Sequence, residues 1–448
     1  MRPNVDLDSF LALVPRSRLW EAYVQGRKAI HVEYGNLRSG EPELRLTPVN
    51  RWGARITAFD KKERFVIAGD LDSQDQDLHG KMVMATLPSE SPPPEGMHAL
   101  QEEVEARIDP NPIVPERLWE QILARLWWIE RLSEEHWQIK VWSGWELRGY
   151  YNSLGSTMTS VFPLSKLKIS VQVGESGLIK RAGAREGVEF FENLPLTWVE
   201  DFLQDVQQTS RAKKSESPPG VLILDPEAMA MFIHEAIGHS SEGDHVLAGN
   251  SYLPALFGQQ IAPPRVTIVD SPKDFSSLGS YPFDDEGMLA QTTPLVEKGI
   301  VRGYLTDRSV SANLQMKPTG NARSFWYNAT PKVRMSNLVM LPGGKSLDSI
   351  LRKTEDGLLI KGMREGGCDE KTGDFHFKPN VAYRIGGELP EAVLIPEIAG
   401  NALDYWKAIT EVSSEWSLCI AGCGKPTPQS DYVWVGYGAP FVKFELRL

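Results

Sequence analysis

Cysteine, basic charge and long apolar runs are all scarce in this chain of 448 residues. The 3 cysteines, Cys368, Cys419 and Cys423, are too few and odd in number for a disulfide framework, which favours a reducing compartment and leaves the thiols available to a metal. Since 59 acidic residues outnumber 48 basic ones and the net charge is -11, a general electrostatic grip on nucleic acid is disfavoured. No run of about 18 apolar residues or signal-peptide core is present, so we expect a cytoplasmic protein that binds no membrane.

The length exceeds that of one ordinary domain and indicates two or three. The segment "KKSESPPG" at 213–220 replaces apolar periodicity with lysine, serine and proline, and it predicts a boundary between domains 1–215 and 216–448. A sub-boundary near 87–115 follows from the proline-rich stretch at its start. We predict an α+β protein, with a mixed α/β N-terminal domain and a β-rich C-terminal domain that carries one functional helix.

The sequence predicts several strands, helices and turns. Short strands are expected within 43–70, and apolar residues at helical spacing from Pro115 to Trp137 predict a long amphipathic helix. Tryptophans crowd this region, and without interleaved basic residues we expect them to pack in the core or at an interface. The stretch "LTWVEDFLQDVQQTSRA" predicts a second helix, and the C-terminal half reads as short β runs with a turn at Lys298-Gly299.

The stretch "IHEAIGHSSEGD" contains two histidines, His234 and His239, five positions apart. Each residue advances an α-helix by roughly 100°, so these side chains would diverge by about 140°. A π-bulge, for which Gly238 is the cheapest place, would bring them together, and so would a helix that ends there in a tight turn. Upstream, Asp225 and Pro226 follow a predicted buried strand and supply a helix cap and first turn.

Glu235 beside the first histidine suits catalytic zinc chemistry. Such a site has three protein ligands and an open water position, and a neighbouring glutamate takes the proton of the water. His234 and His239 would supply two ligands. Candidates for the third are Cys423, Cys419, His245, Asp244, Glu242 and His376. Cys423 lies between glycines that allow close approach of the backbone, although an ordinary buried thiol is the slightly favoured interpretation from the residues alone.

Other polar residues are weaker candidates for a role at the site. Glu242 and Asp244 could orient the histidines as hydrogen-bond acceptors, or form a solvated acidic turn. Arg323 and Arg334 are weak candidates for holding a substrate terminus, since arginines of β domains more often lie at the surface. The acidic run 284–286 receives no role.

Six segments in order, "FIHEAIGHSSEGD", "FDDEG", "TPLVEKGIVRGYLTD", "TGNARS", "RMSN" and "CGK", resemble the TldD/PmbA family of zinc metallopeptidases. The resemblance covers roughly residues 220–440. It implies that His234, His239 and Cys423 hold Zn²⁺ and that Glu235 is the catalytic glutamate. It also implies the metal-bearing, TldD-like type of subunit.

The same resemblance implies a mixed α/β domain followed by a β-rich domain, and hydrolysis of small or unfolded peptides, leader peptides among them. Subunits of the family pair around the active site, so the partner would be an identical chain or a PmbA/TldE-like subunit. The alternative is a non-enzymatic partner or regulatory subunit that uses zinc structurally, with four protein ligands and no need for Glu235.

Overall fold

The fold consists of two large β-sheets on which short helices pack. The structure, a computed structural model, describes residues 19–36, 43–59, 63–70, 83–88, 98–103, 119–120, 122–124, 136–174, 176–215, 220–273, 276–386, 391–425 and 431–446. This architecture confirms the α+β class. Among the described helices, none has both the length and the apolar character needed to cross a membrane.

The strands are β1 Leu19–Gly35, β2 Glu43–Phe59, β3 Glu63–Asp70, β4 Val83–Pro88, β5 Ala99–Glu103, β6 His136–Asn152, β7 Thr157–Val173, β8 Ser176–Ala184, β9 Lys213–Lys214, β10 Val221–Leu224, β11 Ile268–Asp270, β12 Thr293–Glu297, β13 Ile300–Val301, β14 Ala322–Arg323, β15 Lys332–Val333, β16 Asn337–Met340, β17 Gly357–Cys368, β18 Asp374–Ile385, β19 Glu391–Leu394, β20 Ile398–Asn401, β21 Ile409–Lys425 and β22 Asp431–Glu445. The α-helices are α1 Glu189–Asn193, α2 Leu196–Arg211, α3 Pro226–Ile233, α4 Gly243–Leu247, α5 Arg308–Leu314, α6 Leu347–Arg352 and α7 Ala402–Lys407. A π-helical turn spans His234–Gly238, and 3-10 turns span His239–Ser241 and Leu253–Leu256.

The first sheet is built from long antiparallel strands in the order β4-β3-β2-β1-β6-β7, with β5 and β8 both paired to β7. Alternate residues of β6, such as Ile139 and Val141, are buried together with Val199 and Phe202 of α2. Helix α2, which the sequence predicts, therefore covers one face of this sheet. The other face of β6 turns toward the C-terminal half of the chain, where Tyr150 packs with Phe283.

The helix expected from Pro115 to Trp137 does not include the last two residues of that range. Residues 119, 120 and 122–124 are helical, and the rest of 115–135 lies outside the described residues. His136 and Trp137 instead begin β6, because from here on every second residue is buried and the period changes from helix to strand. Trp119 and Trp137 are buried in the core, as expected of packing residues.

The second sheet follows the order β13-β12-β11-β16-β22-β10-β17-β18-β19-β9, with β21 paired to β22 and β20 to β18. The predicted turn between β12 and β13 is confirmed: Lys298 and Gly299 both have positive φ, 49° and 81°, as a tight two-residue hairpin requires. Strand β9, at 213–214, already joins this sheet. The domain boundary between 215 and 216 remains a proposal.

Buried ion pairs join the two halves of the chain. Arg308 bonds to Glu21 at 2.7 Å and to Glu286 at 3.2 Å. The side chain of Asp285 accepts hydrogen bonds from Ser324, and its backbone carbonyl accepts one from Arg55. These contacts give the acidic run 284–286 a structural role at the junction of the halves.

Candidate metal centre

A well-started helix presents the two histidines. The Asp225 side chain accepts a hydrogen bond from the Ala228 N–H at 2.8 Å, and Pro226 occupies the first turn of α3. Helix α3 then passes into the π-turn, where the N–H of His239 donates to the carbonyl of His234, an i to i+5 bond. The imidazole centroids lie 4.9 Å apart with ring planes at 84°. Of the two predicted routes, the structure adopts the π-bulge.

Gly238 is required by space and not by backbone conformation. Its φ of -58° and ψ of -61° are ordinary helical values that any residue adopts. A Cβ at this position would lie 2.1 Å from Sδ of Met335 and 2.8 Å from Cδ2 of Leu338. The expectation that glycine favours the bulge through its backbone freedom is therefore wrong. The missing side chain instead leaves room for the π-turn to pack against Met335 and Leu338.

Strand β21 brings the third side chain. Cys423 lies opposite Val433 of β22 and is fully buried. The potential ligand atoms of His234, His239 and Cys423 all lie within 4.8 Å of one another, and the Cys423 Sγ is 4.0 Å from Nε2 of His239. Residues separated by 184 positions thus converge in one buried group.

The hydrogen bonds around this group fit a metal ion. Nδ1 of His239 bonds to Oε2 of Glu242 at 3.1 Å, which directs Nε2 toward Cys423. Nδ1 of His234 is buried and has no hydrogen-bond partner among the described residues. A buried, unsatisfied imidazole nitrogen is costly unless an ion or another group binds it. Two imidazoles and one thiol form a donor set that suits zinc and related transition metals.

The electrostatics of the group favour a thiolate. Burial alone would raise the pKa of Cys423, but the nearby His239 imidazole and hydrogen bonds from both histidines hold it well below its ordinary value. Burial would lower the pKa of His239, yet Cys423 and Glu242 raise it well above its usual range. His234, His239 and Cys423 would hold a metal cation in place of the proton that the thiolate and the imidazole share.

Lys425 is a site residue that the sequence interpretation missed. It lies two positions after Cys423 on β21, and its ammonium donates to Glu242 at 3.1 Å and to Asp244 at 2.8 and 2.6 Å. Burial would raise the pKa of Glu242, but Lys425 and then His239 hold it at about 2. Glu242 therefore stays ionised and supports His239, whereas Asp244 bonds to Lys425 and, among the described contacts, to neither His234 nor His239.

Glu235 stands apart from these pairs. Its side chain is partly exposed, and it makes no hydrogen bond or ion pair with any other described residue. It lies near Cys368, since burial and then the Glu235 charge raise the pKa of that thiol to about 12. The carboxylate next to His234 is therefore not held by any partner among the described residues.

The other proposed third ligands lie elsewhere. His376 is exposed on β18. His245 has its Nε2 3.9 Å from Oε2 of Glu242, and these two form with Asp244 a second compact group. The Lys425 ammonium already neutralises the carboxylates of that group.

Cys419 lies outside the group although it is on the same face of β21 as Cys423. This strand pairs regularly with β22 from Trp416 to Lys425, so the two side chains point the same way. Four residues of strand separate them by about 13 Å. Cys419 instead lies near Glu227 and Lys180, and burial followed by Glu227 raises its pKa.

The glycines that flank Cys423 face the opposite side of β21. A Cβ at Gly422 or Gly424 would lie 3.4 or 2.9 Å from the ring of Tyr432. The close approach that they allow is to this tyrosine and not to a metal.

Arg323 and Arg334 are buried rather than exposed. Arg323 donates to the carbonyls of Met335 and Trp434 at 2.6 and 2.7 Å. Arg334 donates to the carbonyl of Cys423. Both guanidinium groups therefore hold the backbone around the site, and a substrate terminus could not reach them without displacing it.

Residues 221–445 match the family model described as the PmbA/TldA metallopeptidase C-terminal domain. The chain belongs to the TldD/PmbA family. A metalloprotease of Methanothermobacter thermautotrophicus is 37% identical over 241 residues, or 53% of this chain and 52% of that protein. A zinc metalloprotease TldD homolog of Saccharolobus solfataricus is 33% identical over 236 residues, or 52% of this chain and 51% of that protein.

The chain thus matches about half the length of these TldD/PmbA relatives. The crystal structure of TldE from Thermococcus kodakarensis is similar over 96% of both chains, with a TM-score of 0.72 at 20% identity. At this identity the likeness shows the fold alone. Family and relatives together support a metallopeptidase-family role, and the buried His-His-Cys group lies within the matched segment.

Proposed function

We propose that this chain is a zinc-dependent metallopeptidase that hydrolyses small or unfolded peptides, leader peptides included. The observation that carries the proposal is the convergence of His234, His239 and Cys423 within 4.8 Å beside an uncommitted Glu235. Three donors of this kind match a catalytic zinc site with one position left for water or substrate.

Each residue has a role that its contacts support. The two histidines and Cys423 would hold zinc, which supplies a Lewis acid that polarises the peptide carbonyl and activates water. Glu235 takes a proton from the attacking water and returns it to the leaving amine. Glu242 keeps the His239 ring oriented, and Lys425 keeps Glu242 ionised.

A structural zinc in a non-enzymatic subunit is the alternative. It would require a fourth protein ligand. Among the described residues only three donors form the group, and the Glu242 carboxylate is bound to Lys425 and His239. These contacts favour an open position, which a catalytic site needs.

The proposal also covers how the peptide binds, which subunit pairs with this chain and where the protein acts. An extended peptide would bind by adding a strand to the β-rich domain, since backbone pairing tolerates many side chains. The fold shared with TldE is compatible with a dimer, either of this chain or with a PmbA/TldE-like subunit, in the cytoplasm.

The test is hydrolysis of one polypeptide in two forms, disulfide-locked and reduced, by the zinc-loaded protein. We expect cleavage of the unfolded form, loss of cleavage after chelation, and recovery on adding Zn²⁺. Equal cleavage of the compact form would contradict the choice of substrate. Full activity in the chelated protein would contradict the metallopeptidase proposal itself.

A further inference from the structure

A cavity of about 360 Å³ lies between the first sheet and the β21–β22 hairpin. Strands β1, β6 and β7 form its floor, and Phe325, Ile420 and Trp434 of the C-terminal half line its other wall. Its volume is within the range of small-molecule sites. Ile420 and Trp434 point away from the face of the hairpin that carries Cys423, because side chains alternate along a strand. The cavity is therefore separate from the metal centre.

Positive charge is concentrated in this cavity although the chain as a whole is acidic. Lys140, Lys168 and Arg181 lie directly opposite one another on β6, β7 and β8, and we name these three residues the cation row. Like charges in register across a sheet destabilise it. Burial, and then Arg181 and Lys140, lower the pKa of Lys168, which reflects this repulsion. Such a row needs counter-charge.

Carboxylates of the protein supply only part of that counter-charge. Lys140 bonds to Glu33 at 2.6 Å. Glu146, which also lines the cavity, is already bound to Arg27 at 2.8 Å and to Arg148 at 2.7 Å. Among the described residues, no carboxylate lies within ion-pair distance of Lys168 or Arg181, and only the more distant charge of Glu227 acts on Arg181.

Lys166 adds a further ammonium to the lining of the cavity. Its Nζ lies 3.5 Å from the ring centroid of Trp434 and 4.8 Å from that of Trp142, and we name these two residues the tryptophan pair. Contact with rings stabilises the charge but leaves its N–H donors without an acceptor. In the described part of the chain, Lys166 makes no hydrogen bond or ion pair. Burial and nearby Arg27 lower its pKa well below the ordinary value, a cost that an anion would reverse.

We propose that this cavity binds a small organic dianion, with its charges on Lys166 and the cation row and its apolar body against the tryptophan pair. Arginine and lysine together suit phosphate or carboxylate oxygens, and the indole rings suit a flat or apolar body. The charge can come from a phosphate ester or from a dicarboxylate. The proposal does not depend on peptidase activity.

Calorimetric titration of the full chain tests it, with phenyl phosphate and phthalate as the two dianions and benzyl alcohol as the neutral probe. We expect at least one dianion to bind, its affinity to fall at high salt, and benzyl alcohol not to bind. Lys166→Met should weaken binding about tenfold or more, since one charge-assisted hydrogen bond is lost. Lys168→Met serves the same purpose if the first variant does not fold.

Lys28→Met is the matched control, because Lys28 is exposed on the opposite face of β1 and should leave the affinity unchanged. Chelation of metal should also leave it unchanged. Failure of both dianions to bind would overturn the proposal, as would equal binding by wild type and both cavity variants. Loss of binding on chelation would move the ligand to the metal centre and overturn it as well.

Discussion

The substitution Glu242→Gln tests how His239, a metal ligand in the proposed function, is supported. Glu242 is fully buried. Its carboxylate forms an ion pair with the Lys425 ammonium and a hydrogen bond with Nδ1 of His239, each at 3.1 Å. Glutamine keeps the shape and an acceptor for the imidazole but removes the charge. Among the described residues, Lys425 would then retain only Asp244 as an ion-pair partner.

Two magnitudes follow from these contacts. Removing one partner of a buried ion pair costs about 3–5 kcal/mol, and because Asp244 remains we expect about 3 kcal/mol of unfolding free energy to be lost. Removing a charged partner of a ligand histidine should weaken metal binding by about 10- to 100-fold. Urea unfolding of the metal-free protein measures the first, and zinc competition with a chelator measures the second.

Asp244→Asn is the matched control for this prediction. The Asp244 side chain is 34% exposed and contacts neither ligand histidine, so the loss should be about 1 kcal/mol or less, with metal affinity nearly unchanged. If the two variants lost metal affinity equally, or if Glu242→Gln bound zinc like wild type, the assigned role of Glu242 would be wrong.

Three further predictions concern packing, charge and ligation. Gly238→Ala should cost about 1–3 kcal/mol in urea unfolding because its Cβ overlaps Met335, whereas Gly344→Ala, with no atom within 4 Å of the added carbon, should change stability by less than about 0.5 kcal/mol. Burial would raise the pKa of Glu146, but its two arginine partners lower it from an ordinary 4.5 to about 2 in the folded protein. Glu146→Gln should therefore lose about 3 kcal/mol of unfolding free energy at pH 7. The difference in stability between the variant and wild type should shrink as the pH falls from 4.5 toward 2. Metal analysis should find zinc depleted in Cys423→Ser and retained in Cys419→Ser, and the reverse pattern would move the ligand to Cys419.

Helix geometry explains why the turn at the metal centre could be predicted. Five residues of regular α-helix place His234 and His239 on diverging faces, so only a π-bulge or a terminating turn brings them together. The start of α3 was equally accessible, because Asp225 and Pro226 act through local contacts.

Lys425 could not be predicted in the same way, because its role depends on how β21 is interpreted. In the sequence, the glycines beside Cys423 suggest a turn. In the structure, the Tyr432 ring occupies the space that side chains at these positions would take, and the strand continues. On a strand, Lys425 shares the face of Cys423, so the period of two was the signal that would have identified it.

The burial of Arg323 and Arg334 depends on contacts that are remote in sequence. Arg323 donates to the carbonyl of Trp434, 111 positions away, and Arg334 to that of Cys423, 89 positions away. Composition and periodicity carry no information on such partners, and the usual exposure of arginine argues the other way.

Peptide turnover by zinc-loaded Glu235→Gln, compared with wild type of equal zinc content, tests the account most directly. Glutamine preserves the shape of the side chain but cannot accept the proton of the attacking water. The account predicts unchanged folding and zinc occupancy with turnover of an unstructured peptide reduced by about 100- to 10,000-fold. Undiminished turnover at equal zinc occupancy would contradict it.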